Sequence, residues 1–472
     1  MARLRTSSDA ELFVELRRDD GVPLHRQLEL ALRERICKGR LAAGTVLPST
    51  RALAADLGLS RGVVIEAYEQ LTAEGYLTTR PGGATQVAEC AVPPPPPMPR
   101  PEPMAPQHRI DFRYGRPDVS QFPRAAWLRS LRRVLNTAPA ERFSYLDGRG
   151  APELRSAMAS YLNRVRGTNA HEDHILVTTG FGQALNLITT VLRASGARVL
   201  AVENPSNDDA PGIAASAGLE VVGIGVDELG IRPDALEEAK ADAVLVTPAH
   251  QFPTGGVLPA ERRAALIAWA RSRGAYIIED DYDAEYRYDR TPIGALQGLA
   301  PERVIYAGSA SKTLAPGLRL GWLAAPGALV DALAEAKIAA DRGSPVIDQL
   351  AFADMLERGE FDHHLRRMRT SYRRRRDALL AGLARHAPQL RPAGASAGLH
   401  VVAWLPPGLD EAPIVEAAAA RGIGLYGLGR YWVGGERGPA ALLFGYGMLS
   451  EEAIAEGTAI LGDVMAAERA DS

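Results

Sequence analysis

A proline-rich run, VPPPPPMPRPEPMAP at 92–106, limits most strongly what this chain can fold into. Proline has no amide N–H and a fixed φ, so these residues cannot join the hydrogen-bond ladder of a helix or a sheet. We expect an extended polyproline II spacer here, with a ligand for a proline-binding domain as the alternative. The run therefore predicts two modules, at 10–89 and 109–467, joined by a linker at 90–108.

The overall charge gives little support for nucleic-acid binding. The 472 residues carry 54 Lys+Arg and 57 Asp+Glu, a net charge of −3, and residues 1–88 carry 12 basic against 11 acidic side chains. A DNA-binding function therefore has to be argued from motifs. Arginine is strongly preferred over lysine, so a retained lysine indicates amine chemistry that a guanidinium cannot perform. The four lysines are Lys38, Lys240, Lys312 and Lys337.

The sequence has no features of a membrane or secreted protein. It contains no run of about 18 apolar residues, and its first residues lack the apolar region of a secretory signal. The two cysteines, Cys37 and Cys90, are too few for a disulfide framework and make a poor metal site. We therefore expect a cytoplasmic chain that uses neither a metal nor a membrane.

The first module has the pattern of a helical DNA reader. Apolar residues recur at every fourth position from Leu24 to Ile36, which predicts a helix. A short helix is expected at 49–56, and Gly58 separates it from a third helix at about 60–74. The alternating stretch that follows predicts a β-hairpin. The pattern favours a helix-turn-helix with a hairpin wing, and a purely structural helical hairpin is the alternative.

Serines stand where the second and third of these helices begin. The hydroxyls of Ser49 and Ser60 can cap the exposed N–H groups there. The first turn of the third helix then presents Arg61, as in proteins that place a helix N-terminus in the major groove. Arg80, beside the glycine-rich hairpin tip, is placed to reach a minor groove or the DNA backbone. The predicted DNA contacts are Ser49, Arg51, Ser60, Arg61, Tyr68, Arg80 and Gly82.

The second module alternates short apolar runs with longer helical stretches. Runs such as ILVTTG, ARVLAVE, AVLVTP and VIYAGS read as strands, and the segments between them are rich in Ala, Leu and Arg. This alternation predicts an α/β domain with a mostly parallel sheet. From about residue 340 onward, helices are followed by short strands, which indicates a smaller α+β lobe.

Lys312 lies in YAGSASKTLAPGLRLGW, directly after one of the predicted strands. A lysine among small hydroxyl residues, seven positions before an arginine, fits a Schiff-base lysine beside a phosphate site. Ser309 and Ser311 can donate hydrogen bonds to phosphate oxygens, and Arg319 can pair with them bidentately. A solvated surface lysine is the alternative for this residue type considered alone.

Two further segments match the same chemistry. In YIIEDDYDAEYRY a strand ends at Asp280, whose carboxylate can meet a protonated pyridine nitrogen, and Tyr282 can reach a ring hydroxyl. An acidic surface loop is the alternative. In TTGFGQAL a strand is followed by Gly180, Phe181 and Gly182 and then by a helix, whose N-terminus can accept a phosphate.

The order and spacing of these motifs resemble known families. The segment at 47–87 resembles the GntR-type winged helix, and the later segments, with TPAHQFPTGGVLP at 247–259, resemble fold-type I aminotransferases. From about Pro23 to Gly457 the whole chain resembles the MocR/GabR family of GntR regulators. The resemblance implies pyridoxal 5′-phosphate as cofactor, a double-stranded DNA operator, and a homodimer in which the two modules exchange partners head to tail.

The resemblance also implies a role for each cofactor residue. Lys312 would carry the cofactor as an aldimine, Asp280 would face the pyridine nitrogen, and Tyr282 the ring hydroxyl. The phosphate would meet Arg319, with serines and the Gly180–Gly182 turn. The implied cofactor set is Lys312, Asp280, Tyr282, Arg319, Ser309, Ser311, Gly180, Phe181, Gly182 and Asn207.

Three positions depart from the resemblance. Phe252 replaces the asparagine that helps bind the ring hydroxyl in aminotransferases, which argues against efficient transamination. Asn207 stands where the family has an aromatic residue over the cofactor ring. Asp209 lies where the GABA-sensing type is thought to use an arginine for the effector carboxylate, so it would repel a carboxylate. Arg430 is the candidate for effector binding, with a surface arginine as the alternative.

We expect a DNA-binding regulator that senses pyridoxal phosphate, or an amine effector bound to it, through Lys312. Such an effector can act only by binding one state of the protein better than another. One alternative is a working aminotransferase with an appended DNA-binding domain. The other is a regulator that uses the aminotransferase fold only for dimerisation.

Overall fold

The structure of the protein is a computed structural model, in which the chain divides into two compact units, Met1–Met104 and Ala105–Ser472. We call these the N-terminal unit and the C-terminal unit. Arg80, Gly82 and the proline-rich run at 92–106, for which the sequence makes predictions, lie outside the described residues. The structure describes residues 14, 16–18, 21–79, 83–89, 108–288, 293–435 and 438–470.

The N-terminal unit packs three helices against a two-stranded hairpin. The hairpin is antiparallel and pairs Leu77 with Val87. Its core takes one face of each helix, including Leu28 and Leu32 from the first and Val64 and Leu71 from the third, because apolar residues recur at helical spacing. The elements are α1 (Leu24–Cys37), α2 (Thr50–Asp56), α3 (Arg61–Ala73), β1 (Leu77–Thr79) and β2 (Thr85–Val87).

The C-terminal unit is built around an eight-stranded sheet of order β4-β11-β10-β9-β8-β5-β6-β7. Neighbours from β10 through β6 run parallel, whereas β11 and β7 run antiparallel to the strands beside them. This confirms the mostly parallel α/β sheet. The strands are β3 (Ile110–Asp111), β4 (Ile175–Thr178), β5 (Val199–Asn204), β6 (Glu220–Asp227), β7 (Gly230–Ile231), β8 (Ala243–Val246), β9 (Tyr276–Asp280), β10 (Val304–Ser309) and β11 (Gly321–Ala324).

A second, smaller sheet follows in the chain and confirms the predicted α+β lobe. Its strands are antiparallel in the order β12-β13-β16-β15, while β14 pairs with β3 from the start of the unit. These strands are β12 (Arg391–Ala393), β13 (His400–Trp404), β14 (Ile423–Gly424), β15 (Tyr426–Gly427) and β16 (Ala441–Gly445).

Helices cover both faces of the large sheet, and the longest described helix, α12, packs on α14 beside the small sheet. None of the described helices is both long and apolar enough to cross a bilayer. The helices are α4 (Arg124–Thr137), α5 (Pro152–Arg166), α6 (Phe181–Ala194), α7 (Asp209–Ser216), α8 (Ala235–Glu238), α9 (Ala260–Arg273), α10 (Gly327–Asp341), α11 (Val346–Glu357), α12 (Glu360–His386), α13 (Glu411–Ala420) and α14 (Glu451–Ala470).

Consecutive side chains of the central strands pack on opposite faces of the sheet. Ile277 lies in the cluster that includes Leu266 of α9, and Ile278 lies in the cluster that includes Leu185 of α6. Side chains alternate along a strand, so the part of a strand that packs on both faces is apolar at consecutive positions. This explains the apolar runs of the parallel strands, which in β9 give way to the buried polar residues Glu279 and Asp280 at its carboxyl end.

A buried ion pair holds the end of β9. The Nε of Arg166, the last residue of α5, donates to Asp281 Oδ2 over 2.6 Å, and both side chains are at most 5% exposed. The hydroxyl of Tyr306 donates to the same oxygen over 2.6 Å. Arg166 also donates to the carbonyl of Ile293. These bonds position the residue that directly follows the end of the strand at Asp280.

Replacing Arg166 should destabilise the C-terminal unit strongly. In Arg166→Ala the Asp281 carboxylate stays buried without its cation, which costs about 3–5 kcal/mol of unfolding free energy. The control is Arg164→Ala, because Arg164 pairs with Asp362 at the surface, where a pair is worth at most about 1 kcal/mol. Denaturant titration measures both. Equal losses for the two variants would contradict the importance of the buried pair.

Candidate functional site

The helix-turn-helix exposes four of the predicted DNA contacts. Ser49, Arg51, Ser60 and Arg61 are exposed at the N-termini of α2 and α3. The Ser49 hydroxyl accepts a hydrogen bond from the Ala52 amide over 3.2 Å, so it caps α2 as predicted. These side chains are accessible to a ligand at the ends of two helices, where N–H groups favour phosphate. Their contacts with DNA remain a prediction.

Two details of the DNA-binding prediction are corrected. Tyr68 is only 4% exposed, and its hydroxyl donates to the Pro48 carbonyl over 3.0 Å. It is a core residue that ties α3 to the start of α2, so its assignment as a DNA contact is wrong. Ser60 stands at the N-cap position of α3, but its hydroxyl makes no capping hydrogen bond. The Ser60 hydroxyl therefore makes no hydrogen bond to the first turn of α3.

A cavity of about 320 Å³ lies in the C-terminal unit, at the carboxyl ends of the central strands. Parallel strands meet at such an edge with their loops together, which is where α/β proteins bind ligands. Gly180 lies next to this cavity, because a Cβ on it would be 3.1 Å from the Arg319 guanidinium. The predicted residues that line the cavity are Lys312, Asp280, Tyr282, Arg319, Ser309, Ser311, Phe181, Gly182 and Asn207.

Lys312 reaches into this cavity from the loop after β10. Its Nζ donates to the Gly115 carbonyl over 2.8 Å, so the amine is held in one place. Burial lowers the pKa of Lys312, while the carboxylates of Asp280 and Asp283 act in the opposite direction. A lysine with a lowered pKa is more readily the neutral amine that can attack a carbonyl.

Asp280 ends β9 with its carboxylate toward the cavity. It is 8% exposed, and no described residue donates a hydrogen bond to it. Burial raises the pKa of Asp280 well above its usual value, and the charges of Asp281 and Asp283 raise it further. Such a carboxylate is costly unless a positive or hydrogen-bonding group meets it. We therefore expect a ligand in this cavity to present a hydrogen-bond donor or a positive charge to the Asp280 carboxylate.

Arg319 is exposed at the other side of the cavity, near the N-terminus of α6. Its guanidinium has one long bond, of 3.5 Å, to the Pro316 carbonyl. Ser309 and Ser311 line the same wall. Gly180 allows the close approach of Arg319 because it has no side chain and adopts φ +118°. Together with the N–H groups that begin α6, this wall can hold a phosphate.

Tyr282 belongs to a buried network that was not predicted from the sequence. Its hydroxyl lies 3.0 Å from His250 Nδ1, which is also 3.0 Å from the Asp283 carboxylate. His250 Nε2 is 3.0 Å from the Gly394 carbonyl of the small lobe. Carboxylate and carbonyl can only accept, so both ring nitrogens of His250 donate and the imidazole is charged. With both nitrogens donating, His250 has no lone pair to offer a metal.

The charge on His250 has a clear electrostatic cause. Burial lowers the pKa of His250, but the charge and hydrogen bond of Asp283 outweigh it and raise the pKa on balance. His400, beside it, is different: burial and the charge of His250 lower its pKa to about 3. His400 is therefore neutral and donates to the Pro253 carbonyl over 3.2 Å. The sequence signal for this network is the histidine in TPAHQFPTGG, a segment that by itself indicates only a turn.

Aromatic rings close the cavity where aminotransferases have an asparagine. Phe252 packs against Tyr114 with ring centroids 5.0 Å apart, and against His400 at 5.4 Å. Tyr114 in turn meets Tyr431 edge to face at 5.6 Å. Phe252 thus replaces a polar amide by an apolar wall.

Arg430 does not line the cavity. It forms an ion pair with Asp208, and its guanidinium lies 5.5 Å from the centre of the Tyr431 ring. Asn207 and Asp209 do line the cavity, and the Asn207 amide oxygen accepts from the Asp209 backbone N–H over 2.9 Å. Of the two acidic residues after Asn207, Asp208 therefore pairs with Arg430, whereas Asp209 lines the cavity.

Comparisons with known proteins match both units. The model of bacterial regulatory proteins of the gntR family matches residues 24–87, and that of aminotransferase class I and II matches residues 109–414. The probable rhizopine catabolism regulatory protein MocR of Rhizobium meliloti is 34% identical over 94% of each chain. The pyridoxine biosynthesis transcriptional regulator PdxR of Corynebacterium glutamicum is 33% identical over 94% of this chain and 96% of its own.

This chain is a MocR-type member of the GntR family of transcriptional regulators. Its C-terminal unit is also similar to a solved aminotransferase, LysN of Thermus thermophilus, complexed with N-(5′-phosphopyridoxyl)-L-leucine. The identity is 28% and the TM-score 0.69, over 77% of this chain and 93% of that one. The MocR-type chain thus joins a DNA-binding winged helix to a fold-type I aminotransferase domain, whose cofactor is pyridoxal phosphate.

The regulator's stability should depend on pH through His364, which supports the loop of Lys312. His364 Nε2 donates to the Thr313 carbonyl over 2.8 Å, and burial lowers its pKa to about 4. Between about pH 6.5 and pH 4 the unfolded chain binds a proton that the folded chain does not. The unfolding free energy therefore falls by about 1.4 kcal/mol per pH unit as pH drops through this range.

His364→Gln should remove this part of the slope, because glutamine can still donate to Thr313 but does not titrate. The control is His363→Gln, since His363 is the exposed neighbour on α12. Denaturant titrations at about pH 4.5, 5.5 and 6.5 measure the slope. An unchanged slope in His364→Gln would show that His364 titrates normally in the folded protein.

Proposed function

We propose that this regulator binds its operator according to the occupancy of the C-terminal cavity, by pyridoxal phosphate alone or together with an amine. The observation that carries the proposal is the set of groups around Lys312, which combines a held amine, an unpartnered buried carboxylate and an exposed arginine. Pyridoxal phosphate supplies an aldehyde that condenses with primary amines and a ring that draws electrons from them. A domain that holds it can therefore recognise amines.

The side chains that line the cavity match the chemical groups of pyridoxal phosphate one by one. Asp280 has no protein donor, which suits a protonated ring nitrogen, and Tyr282 is placed beside it for the ring hydroxyl. Arg319, the two serines and the N-terminus of α6 with Gly180, Phe181 and Gly182 would hold the phosphate. Asn207 would lie near the ring. In this assignment Lys312 is the attachment point, and the charged His250 orients the Tyr282 hydroxyl.

A second candidate function is transamination by the same site. It is favoured by the presence of Lys312, Asp280, Tyr282 and Arg319 around one cavity. Phe252 disfavours it, because the asparagine replaced in this position helps bind the ring hydroxyl in aminotransferases. We therefore propose that sensing, rather than turnover, is the physiological role. Formation of keto acid from a broad set of amino donors would support the enzyme instead.

We propose that the regulator acts as a homodimer in the cytoplasm, head to tail as its family resemblance implies. Exposed apolar residues on the C-terminal unit support self-association: Phe143 and Tyr145 are 44% and 85% exposed, and Ile338 and Ile347 are 38% and 37% exposed. Phe143 and Tyr145 line one surface depression together with Val346, and contiguous exposed apolar surface is typical of protein interfaces. Light scattering of the full chain tests the dimer.

Lys312→Arg should separate the two functions of the chain. A guanidinium keeps the charge but cannot condense with the aldehyde. The variant should lose the visible absorbance of bound pyridoxal phosphate, while its affinity for the operator stays within about twofold of that of the unmodified chain measured without pyridoxal phosphate. Lys240→Arg, at an exposed site, is the matched control. Normal absorbance in Lys312→Arg would place the attachment elsewhere.

Arg61→Ala should have the opposite effect. Loss of a recognition-helix arginine should weaken operator binding by about 1–3 kcal/mol, which is at least about fivefold, and leave the absorbance unchanged. Tyr68→Phe is the control, because it removes only a core hydrogen bond and should keep operator affinity at a stability cost of about 1 kcal/mol. Fluorescence anisotropy with operator DNA measures affinity. Normal binding by Arg61→Ala would refute the placement of α3 on DNA.

A further inference from the structure

The cavity of the regulator has no free cation for a carboxylate among the described residues that line it. The cationic side chains in its wall are Lys312 and Arg319, and the neutral His400 adds no charge. In the proposed function Lys312 holds the cofactor and Arg319 its phosphate. A ligand carboxylate would therefore meet no positive group that is not already used.

Arg430, the candidate carboxylate partner, is neutralised within the chain. Its guanidinium pairs with the Asp208 carboxylate, although the side chain of Arg430 is 60% exposed. Partial burial lowers the pKa of Arg430, but the hydrogen bond and charge of Asp208 help to raise it on balance. Arg430 is also absent from the described residues that line the cavity, so a ligand carboxylate held there does not meet this guanidinium. Its position and its pairing with Asp208 both disfavour the role that the sequence predicted for Arg430.

Asp209 gives the cavity a carboxylate instead. It is exposed, it begins α7, and no described residue donates to its side chain. The partial positive charge at the N-terminus of a helix attracts negative side chains. Ile213 lies one helical turn further on the same face of α7 and also lines the cavity, to which Phe181 adds a second apolar side chain. The apolar side chains of Ile213 and Phe181 thus line the same cavity as the Asp209 carboxylate.

We infer that the effector of this regulator is a short aliphatic diamine rather than an amino acid. One amino group would be directed to the cofactor end of the cavity, at Lys312, and the hydrocarbon chain would lie along Ile213. The second ammonium would pair with Asp209. This inference rests on the proposed function, since it names the chemical class of ligand for the same cavity.

Three four-carbon ligands that differ only at one end test the inference: 1,4-diaminobutane, butylamine and 4-aminobutanoate. Calorimetry with the full chain loaded with pyridoxal phosphate gives each Kd. We expect the diamine to bind about fivefold more tightly than butylamine, as one exposed ion pair allows, and 4-aminobutanoate to bind most weakly. Equal affinities for the diamine and butylamine, tightest binding of 4-aminobutanoate, or no binding of any amine would overturn the inference.

Two variants assign the preference to named residues. Asp209→Asn should abolish the advantage of the diamine over butylamine, and Glu220→Gln, which neutralises an exposed carboxylate on β6 outside the cavity, should keep it. A diamine preference that survives in Asp209→Asn would refute the role of Asp209.

Operator affinity, measured in the same samples, separates this inference from the proposed function. A diamine preference without any change in operator affinity would support the ligand class and contradict sensing. A change in operator affinity caused by 4-aminobutanoate, and not by the diamine, would support sensing and contradict the ligand class.

Discussion

Three carboxylates lie close together at the end of β9, and the C-terminal unit depends on how each is compensated. Asp281 is buried against Arg166 and Tyr306, and Asp283 is buried against a charged His250. Asp280, at the last position of the strand, faces the cavity with no described donor. Because unpaired buried charge is costly, the protein satisfies two of these groups and leaves the third for a ligand.

The parallel sheet explains why the remaining groups meet at this place. The loops after β9 and β10 and the start of α6 lie at one edge, so Asp280, Lys312 and Gly180 converge although they are far apart in sequence. The His250 network adds the small lobe, because the same imidazole contacts the Asp283 carboxylate and the Gly394 carbonyl. One imidazole therefore contacts groups beside the cavity and a backbone carbonyl of the small lobe.

The electrostatics of the cavity distinguish this regulator from a generic aminotransferase. Phe252 makes one wall apolar where a polar amide would assist catalysis, and Asp209 makes another negative where a carboxylate-binding cation would be expected. Both residues are visible in the sequence as departures from the family pattern, but their effect on the cavity depends on the side chains that surround them in the fold. In particular, Arg430 changes from a candidate ligand group to half of an internal ion pair once Asp208 is seen beside it.

The sequence by itself determined the presence of two units, the helix-turn-helix and the parallel sheet, because local periodicity and motif order carry these features. It also named many of the residues that line the cavity around Lys312. The burial of Tyr68 could also have been read from the sequence, because Tyr68 continues the apolar stripe of Val64, Ala67 and Leu71 along α3. Only the tertiary structure decided the pairing of Arg430 with Asp208, the charge on His250 and the neutrality of His400. These depend on burial and on partners from distant parts of the chain, and spacing along the sequence does not specify either.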